Sequence, residues 1–233
     1  PPRGGGMEIG MNRDITEEIL EKKIIAIVRG VEKDLLVPLA EALYAGGIRF
    51  MEITFDQSGK CPAEETADGI RILSEKMQGR MDIGAGTVLT KEQVVLAKGA
   101  GAKFIISPDT NPEVIRETKR LQMLSLPGAF TPSEAQCAYA AGADFVKLFP
   151  IGNMGVDYIK AIAAPLCHIP FLAVGGVDNE NMPEYLNAGV CGFGIGSTLI
   201  RKDWIREGRF SDLTELALKY TKVIEEWNDV HSH

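Results

Sequence analysis

The sequence predicts an α/β protein, a single-domain (β/α)8 or TIM barrel, on three observations. Short apolar runs rich in β-branched and aromatic residues recur eight times, with helix-like segments between them. Their starts lie roughly 20 to 33 residues apart, about one strand–loop–helix–loop unit. The 233 residues match the length at which such barrels form one domain. An open, doubly wound sheet has the same alternation and stands as the alternative, although no GxGxxG follows the first strand.

In chain order, strands are expected over 24–29, 50–54, 82–87, 104–107, 123–126, 145–149, 171–174 and 192–196. Several helices should end on a glycine just before the next strand: Ala45-Gly46-Gly47, Gly99-Ala100-Gly101, Ala141-Gly142 and Ala188-Gly189. Glycine there suits a left-handed cap. Helix starts are marked by Thr90-Lys91-Glu92-Gln93 and Thr131-Pro132-Ser133-Glu134, a threonine cap with an amide or acid three residues on. A closing amphipathic helix is expected over 212–227. Pro1–Gly6 reads as a leading remnant, leaving 7–233 as the single catalytic barrel.

Composition narrows the function classes. A formal charge of −7, with no basic cluster, argues against a nucleic-acid partner. No apolar run reaches 18 residues, so no membrane span is expected, and the early charges are followed by no signal-peptide core. Cys61, Cys137, Cys167 and Cys191 form no CxxC pair and read as reduced thiols of a cytoplasmic protein. His168 is the single internal histidine, with His231 and His233 in the tail, so a histidine-rich catalytic metal site cannot be built. Neither metal nor cofactor is expected.

Two ionisable residues interrupt apolar strand runs. Lys147 stands in Phe145-Val146-Lys147-Leu148-Phe149-Pro150, and Glu52 in Phe50-Met51-Glu52-Ile53-Thr54-Phe55. Strand residues alternate faces, so Met51, Ile53 and Phe55 should meet the helices and turn Glu52 into the barrel. Val146 and Leu148 do the same for Lys147. Burial favours the neutral amine, and a neutral amine attacks carbonyls. Schiff-base chemistry is the sharp reading and a structural Lys–Glu ion pair the plain one. Lys103, at the start of its strand, belongs at the far rim in solvent. Gly175-Gly176 follows the seventh strand and Gly194-Ile195-Gly196-Ser197 the eighth, the two loops where barrels bind phosphate through backbone N–H groups. The alternative is that these glycines make tight turns.

Glu52-Ile53-Thr54, Gly84-Ala85-Gly86-Thr87, Ile106-Ser107-Pro108, Pro127-Gly128, Lys147-Leu148-Phe149-Pro150, Gly175-Gly176 and Gly194-Ile195-Gly196-Ser197 occur in this order. The series resembles the 2-keto-3-deoxy-6-phosphogluconate (KDPG) aldolases, with the 4-hydroxy-2-oxoglutarate aldolases and the 6-phosphogalactonate-type members. The resemblance implies a metal-independent class I aldolase, a carbon–carbon lyase that is commonly a homotrimer. By motif, Lys147 would be the Schiff-base lysine and Glu52 the general acid/base. Thr87 and Pro108 would line the pyruvate pocket, and Phe149 would pack over the substrate stem. Gly175, Gly176, Gly196 and Ser197 would hold phosphate. Arg29 is a candidate anion contact, with a rim ion pair as its other reading. Some relatives carry an arginine where this chain has Asp56, an anion that would repel the substrate carboxylate. Val174, before the glycine pair, occurs in galactonate-type relatives and leans the expected use towards that epimer or a broad one. An isomerase or epimerase barrel, or a phosphosugar-binding barrel without chemistry, remains the competing class.

Overall fold

A computed structural model describes residues 14–231; Pro1–Gly6, Met7 and His233 lie outside them. Nine parallel strand segments are hydrogen-bonded in the order β5-β4-β3-β2-β1-β9-β8-β7-β6. They are β1 (Ile24–Val28), β2 (Phe50–Thr54), β3 (Asp82–Gly86), β4 (Phe104–Ile106), β5 (Leu124–Leu126), β6 (Gly128–Ala129), β7 (Val146–Leu148), β8 (Phe171–Val174) and β9 (Gly192–Ile195). β5 falls within the fifth predicted strand, 123–126, whereas β6 continues it two residues beyond that range, parted by Pro127, which has no N–H for the ladder. β5 pairs with β4 and β6 with β7, and the Lys147 N–H reaches the Pro127 carbonyl at 2.8 Å. The sheet therefore closes as eight staves, which rules out the open doubly wound alternative.

Five predicted strands run one residue too far at their C-terminal ends. Arg29, Thr87, Ser107, Phe149 and Gly196 lie beyond strands that stop at Val28, Gly86, Ile106, Leu148 and Ile195. Their side chains fit the strand pattern, but the backbone has begun to turn out of the sheet towards the next helix. Thr87 has already crossed to φ +54.

The helices are α1 (Ile15–Lys22), α2 (Leu36–Ala45), α3 (Ala63–Lys76), α4 (Lys91–Gly99), α5 (Pro112–Arg120), α6 (Pro132–Ala140), α7 (Gly155–Ala163), α8 (Met182–Asn187), α9 (Lys202–Arg206) and α10 (Phe210–His231). The glycines expected after helices are left-handed at Gly47, Gly101, Gly142 and Gly189. Thr131 and Glu134 close a reciprocal capping box, and Thr90 accepts from the Gln93 N–H. The last helix exceeds its predicted 212–227 at both ends: Phe210 continues the stripe packed on the core at its start, and beyond Trp227 the Asn228 Nδ2 donates to the Glu21 carbonyl at 3.0 Å. Helix α1 was not anticipated. Asp14 caps it by accepting from Thr16 N–H, and Glu17 three residues on was the available signal.

Two apolar layers result. Met51, Ile53, Phe55, Val146 and Leu148 join the layer between sheet and helices, as the alternation predicts. Ile25, Phe50, Phe104, Ile106, Leu126, Phe145 and Leu172 fill the lower lumen, and Ile19 of α1 closes it from beneath. Phe50 and Phe104 meet edge to face, with ring centroids 6.3 Å apart. Gly84 leaves the room, since a Cβ there would lie 2.2 Å from the Phe104 ring. Each ring taken from water contributes roughly 1.5–3 kcal/mol. This floor sets a low-dielectric base under the next inward layer, which carries the charges.

Candidate active site

Above the floor, at the C-terminal ends of the strands, lies a cavity of about 270 Å³. All eleven residues singled out from the sequence line it. Glu52 and Lys147 rise from the middle of β2 and β7. Arg29, Thr87, Pro108 and Phe149 stand just past β1, β3, β4 and β7. Val174, Gly175 and Gly176 come from the end of β8, and Gly196 and Ser197 from the turn after β9. Lys103 is exposed at the opposite end of the barrel, as expected.

The two ionisable groups are almost fully withdrawn from water, Lys147 at 7% exposure and Glu52 at 2%. Burial holds the Lys147 amine below the ordinary lysine range; Glu52 opposes this shift, and Arg29 reinforces it. Burial also raises the Glu52 carboxyl to about 7, against the pull of Lys147 and Arg29. Both shifts favour neutral forms, an amine with its lone pair free beside a carboxyl poised to gain or lose a proton near neutrality. Glu52 Oε2 has no hydrogen-bond partner, which a closed structural ion pair would have supplied. Lys147 Nζ stands 4.7 Å from the centroid of the Phe149 ring, which walls one side of the amine.

The Glu52 carboxyl lies over bare backbone at Gly86. A Cβ there would fall 2.6 Å from Oε1 and 2.9 Å from Oε2. Gly86→Ala should therefore keep the barrel folded but displace the acid, lowering kcat on the order of 10²-fold, the cost of a misplacement of about 1 Å. A kcat within twofold of wild type would show that the carboxyl does not need this berth.

Arg29 Nη2 donates to Thr87 Oγ1 at 2.9 Å, so the expected anion contact is joined to the neighbouring pocket residue and makes no rim ion pair among the described residues. Asp56 has partners within its own loop. Its carboxylate accepts from the Ser58 hydroxyl and from the N–H groups of Ser58, Lys60 and Cys61, at 2.8–3.1 Å, and does not line the cavity. The Ser58 hydroxyl and then these amides hold it down at about 2. Asp56 builds its own loop.

On the side of the cavity formed by the ends of β8 and β9, two loops meet backbone to backbone. Gly175 and Gly176 are left-handed at φ +90 and +73, and a Cβ on Gly176 would strike Gly152 Cα at 2.7 Å. The N–H groups of Gly175, Gly176, Ser197 and Thr198 donate to no backbone acceptor among the described residues. They are free to converge on an anion. Thr198 Oγ1 donates to the Val177 carbonyl at 2.8 Å and ties the two loops together. Thr198, Val177 and Ile27 also line the cavity but were not singled out. Ile27 was readable as the inward residue two beyond Ile25. Among the described residues no group of three or more His, Cys, Asp or Glu is arranged to hold a metal ion, and no helix is long and apolar enough to cross a membrane.

A family model described as "KDPG and KHG aldolase" matches residues 15–216. The chain belongs to the KDPG and KHG aldolase family. Among the family's members, the 2-dehydro-3-deoxy-phosphogluconate aldolase of Haemophilus influenzae (strain ATCC 51907 / DSM 11121 / KW20 / Rd) is 33% identical over 217 residues, covering 91% of this chain and 98% of that protein. The 2-dehydro-3-deoxy-6-phosphogalactonate aldolase of Escherichia coli (strain K12) is 37% identical over 182 residues, covering 76% and 84%. The crystal structure of KDPG aldolase from Legionella pneumophila, with pyruvate captured at low pH as a covalent carbinolamine intermediate, superposes with a TM-score of 0.78 at 29% identity. It spans 87% of this chain and 96% of that one. Membership in the KDPG and KHG aldolase family thus agrees with the resemblance carried by the motifs from Glu52 to Ser197.

Proposed function

We propose that the chain is a class I aldolase, a carbon–carbon lyase cleaving 2-keto-3-deoxy-6-phospho sugar acids to pyruvate and an aldehyde. The substrates are KDPG or its galactonate epimer, with 4-hydroxy-2-oxoglutarate as a further one. The observation that carries this reading is one buried amine and one buried carboxyl opening into the same cavity, each shifted towards its neutral form. Lys147 Nζ attacks the C2 ketone, and the carbinolamine loses water to give a protonated imine. Glu52, directly or through a water, takes the C4 hydroxyl proton. The C3–C4 bond then breaks, its electron pair passing to the imine nitrogen as an enamine while the aldehyde departs. Glu52 returns the proton to C3, and hydrolysis of the imine frees pyruvate and Lys147. No metal or cofactor takes part.

Arg29 and Thr87 take the carboxylate, Pro108 and Phe149 wall the pyruvyl stem, and the amides at Gly175, Gly176, Gly196 and Ser197 take the phosphate. Val174 lines the cavity beside the glycine pair, and its occurrence in galactonate-type relatives supports the lean towards that epimer or a broad use. The 7–233 segment acts as one catalytic domain, a homotrimer by family resemblance and cytoplasmic on the reading of its cysteines as reduced thiols, with small molecules as its ligands. Incubation with pyruvate and borohydride, followed by peptide mapping, tests the reading. A reduced pyruvyl adduct on Lys147 is the expected result. A folded protein without an adduct would remove the Schiff-base mechanism, and a strong preference for the gluconate epimer would remove the lean towards galactonate-type or broad use.

A further inference from the structure

The loop between β2 and α3 makes a contact that the reaction scheme leaves unused. Gln57 Nε2 donates to the Thr87 carbonyl at 3.0 Å, across 30 residues of sequence. Thr87 holds φ +54, a left-handed conformation that a β-branched residue rarely adopts and that its surroundings must maintain. In that conformation its Oγ1 accepts from Arg29 Nη2 at 2.9 Å. With the oxygen so engaged, the Thr87 hydroxyl hydrogen is free to point into the cavity, beside the remaining Arg29 donors. The base of Gln57 is fixed as well. Asp56, the residue before it, is pinned by the Ser58, Lys60 and Cys61 amides. Gln57 does not line the cavity, whereas Arg29 and Thr87 do.

We infer that Gln57 is a positioning residue for keto-acid recognition: from the Asp56-anchored loop it holds Thr87 in its left-handed turn, so that the Thr87 hydroxyl and Arg29 guanidinium meet the substrate carboxylate together. The inference rests on the pyruvate-forming reading of the cavity. It separates two tasks, since Gln57 serves carboxylate affinity and not the proton transfers of Glu52 or the attack by Lys147.

The test is borohydride trapping of pyruvate on the full-length protein, read as adduct against pyruvate concentration. Gln57→Ala should raise the half-saturating concentration about tenfold, as for loss of one hydrogen bond to a binding arm, and leave trapping at saturation within about twofold. A purely structural role would instead lower the saturating signal and the melting temperature together. Because Gln57 acts through Thr87, adding Gln57→Ala to Thr87→Ala should weaken pyruvate no further than Thr87→Ala alone. Gln57→Glu keeps the size but offers only acceptors to the Thr87 carbonyl, and should weaken pyruvate at least as much. Should the alanine variant not fold, this one carries the test. Half-saturation unchanged in Gln57→Ala or Gln57→Glu, or additive losses with Thr87→Ala, would overturn the inference. Wild-type protein that forms no adduct would instead overturn the aldolase reading, an outcome visible before any variant is made.

Discussion

Lys147→Met should abolish pyruvate formation and leave a folded protein that resists heat better than wild type. Methionine keeps an unbranched stem in a site only 7% exposed and removes the sole nucleophile of the scheme. The rate should fall on the order of 10⁶-fold, as when a covalent nucleophile is removed from other enzymes. Stability should move the opposite way. The folded-state pKa of Lys147 lies below its ordinary 10.5, mainly through burial, so the unfolded chain binds the proton more readily. That costs the native state stability, increasingly as pH falls below 10.5 towards the folded value. Methionine escapes the cost, and a gain of about 1–2 kcal/mol is expected, in the range of other trades of activity for stability. It should be largest near pH 6, where Glu52 is protonated and leaves no lone buried charge. Thermal melts at pH 6 and pH 8 with an assay for released pyruvate check both halves. Retained turnover would sink the mechanism, and a lower melting point at pH 6 would sink the account of Lys147 burial.

Glu52→Gln should separate imine formation from bond cleavage. Glutamine cannot accept the C4 hydroxyl proton, so kcat should drop about 10²–10⁴-fold, while pyruvate is still trapped on Lys147. The acid limb of the wild-type kcat/KM profile, expected near the Glu52 value of about 7, should vanish from the residual activity. Stability gives an independent reading. Because the folded value is raised from 4.5 to about 7, the native state holds a proton that the unfolded chain has released. Wild-type stability contributed by this group is therefore present at acid pH and lost as pH rises from 4.5 through about 7. Above that window the buried carboxylate costs about 3 kcal/mol. Glu52→Gln should match wild type at pH 4 and exceed it at pH 8. A stability difference that does not change with pH would mean that Glu52 titrates normally.

Much of this site was legible because strands have a period of two. Once Met51, Ile53 and Phe55 were assigned to the helices, Glu52 had to enter the lumen, and Val146 and Leu148 fixed Lys147 in the same way. Glycines before strands and threonine caps marked helix ends because both signals act within four residues. What was not legible depends on distance or on turning backbone. The strands ran one residue long, since side-chain pattern does not report where the backbone leaves the ladder. Pro127 could be seen, but not that its strand would supply both edges of the closing seam. Asp56 looked like a charge facing substrate because no local rule aimed it at the amides of its own loop. Gln57 carried no signal at all, as its partner Thr87 is 30 positions away.

The floor of the lumen has a consequence for the order of events. Ile19 of α1 and the ring layer of Phe50, Phe104 and Phe145 seal the barrel from below, so the cavity is a tube closed at its floor. Lys147 sits at its depth, and in the proposed function the phosphate-bearing half of a bound sugar acid would lie nearer the loops after β8 and β9. The aldehyde therefore stands between the enamine and bulk solvent. It must leave first, and the water that frees pyruvate follows the path it has vacated. Traffic is strictly sequential, and an aldehyde that lingers acts as a stopper on the tube, holding the carbanion equivalent beneath it for the reverse condensation.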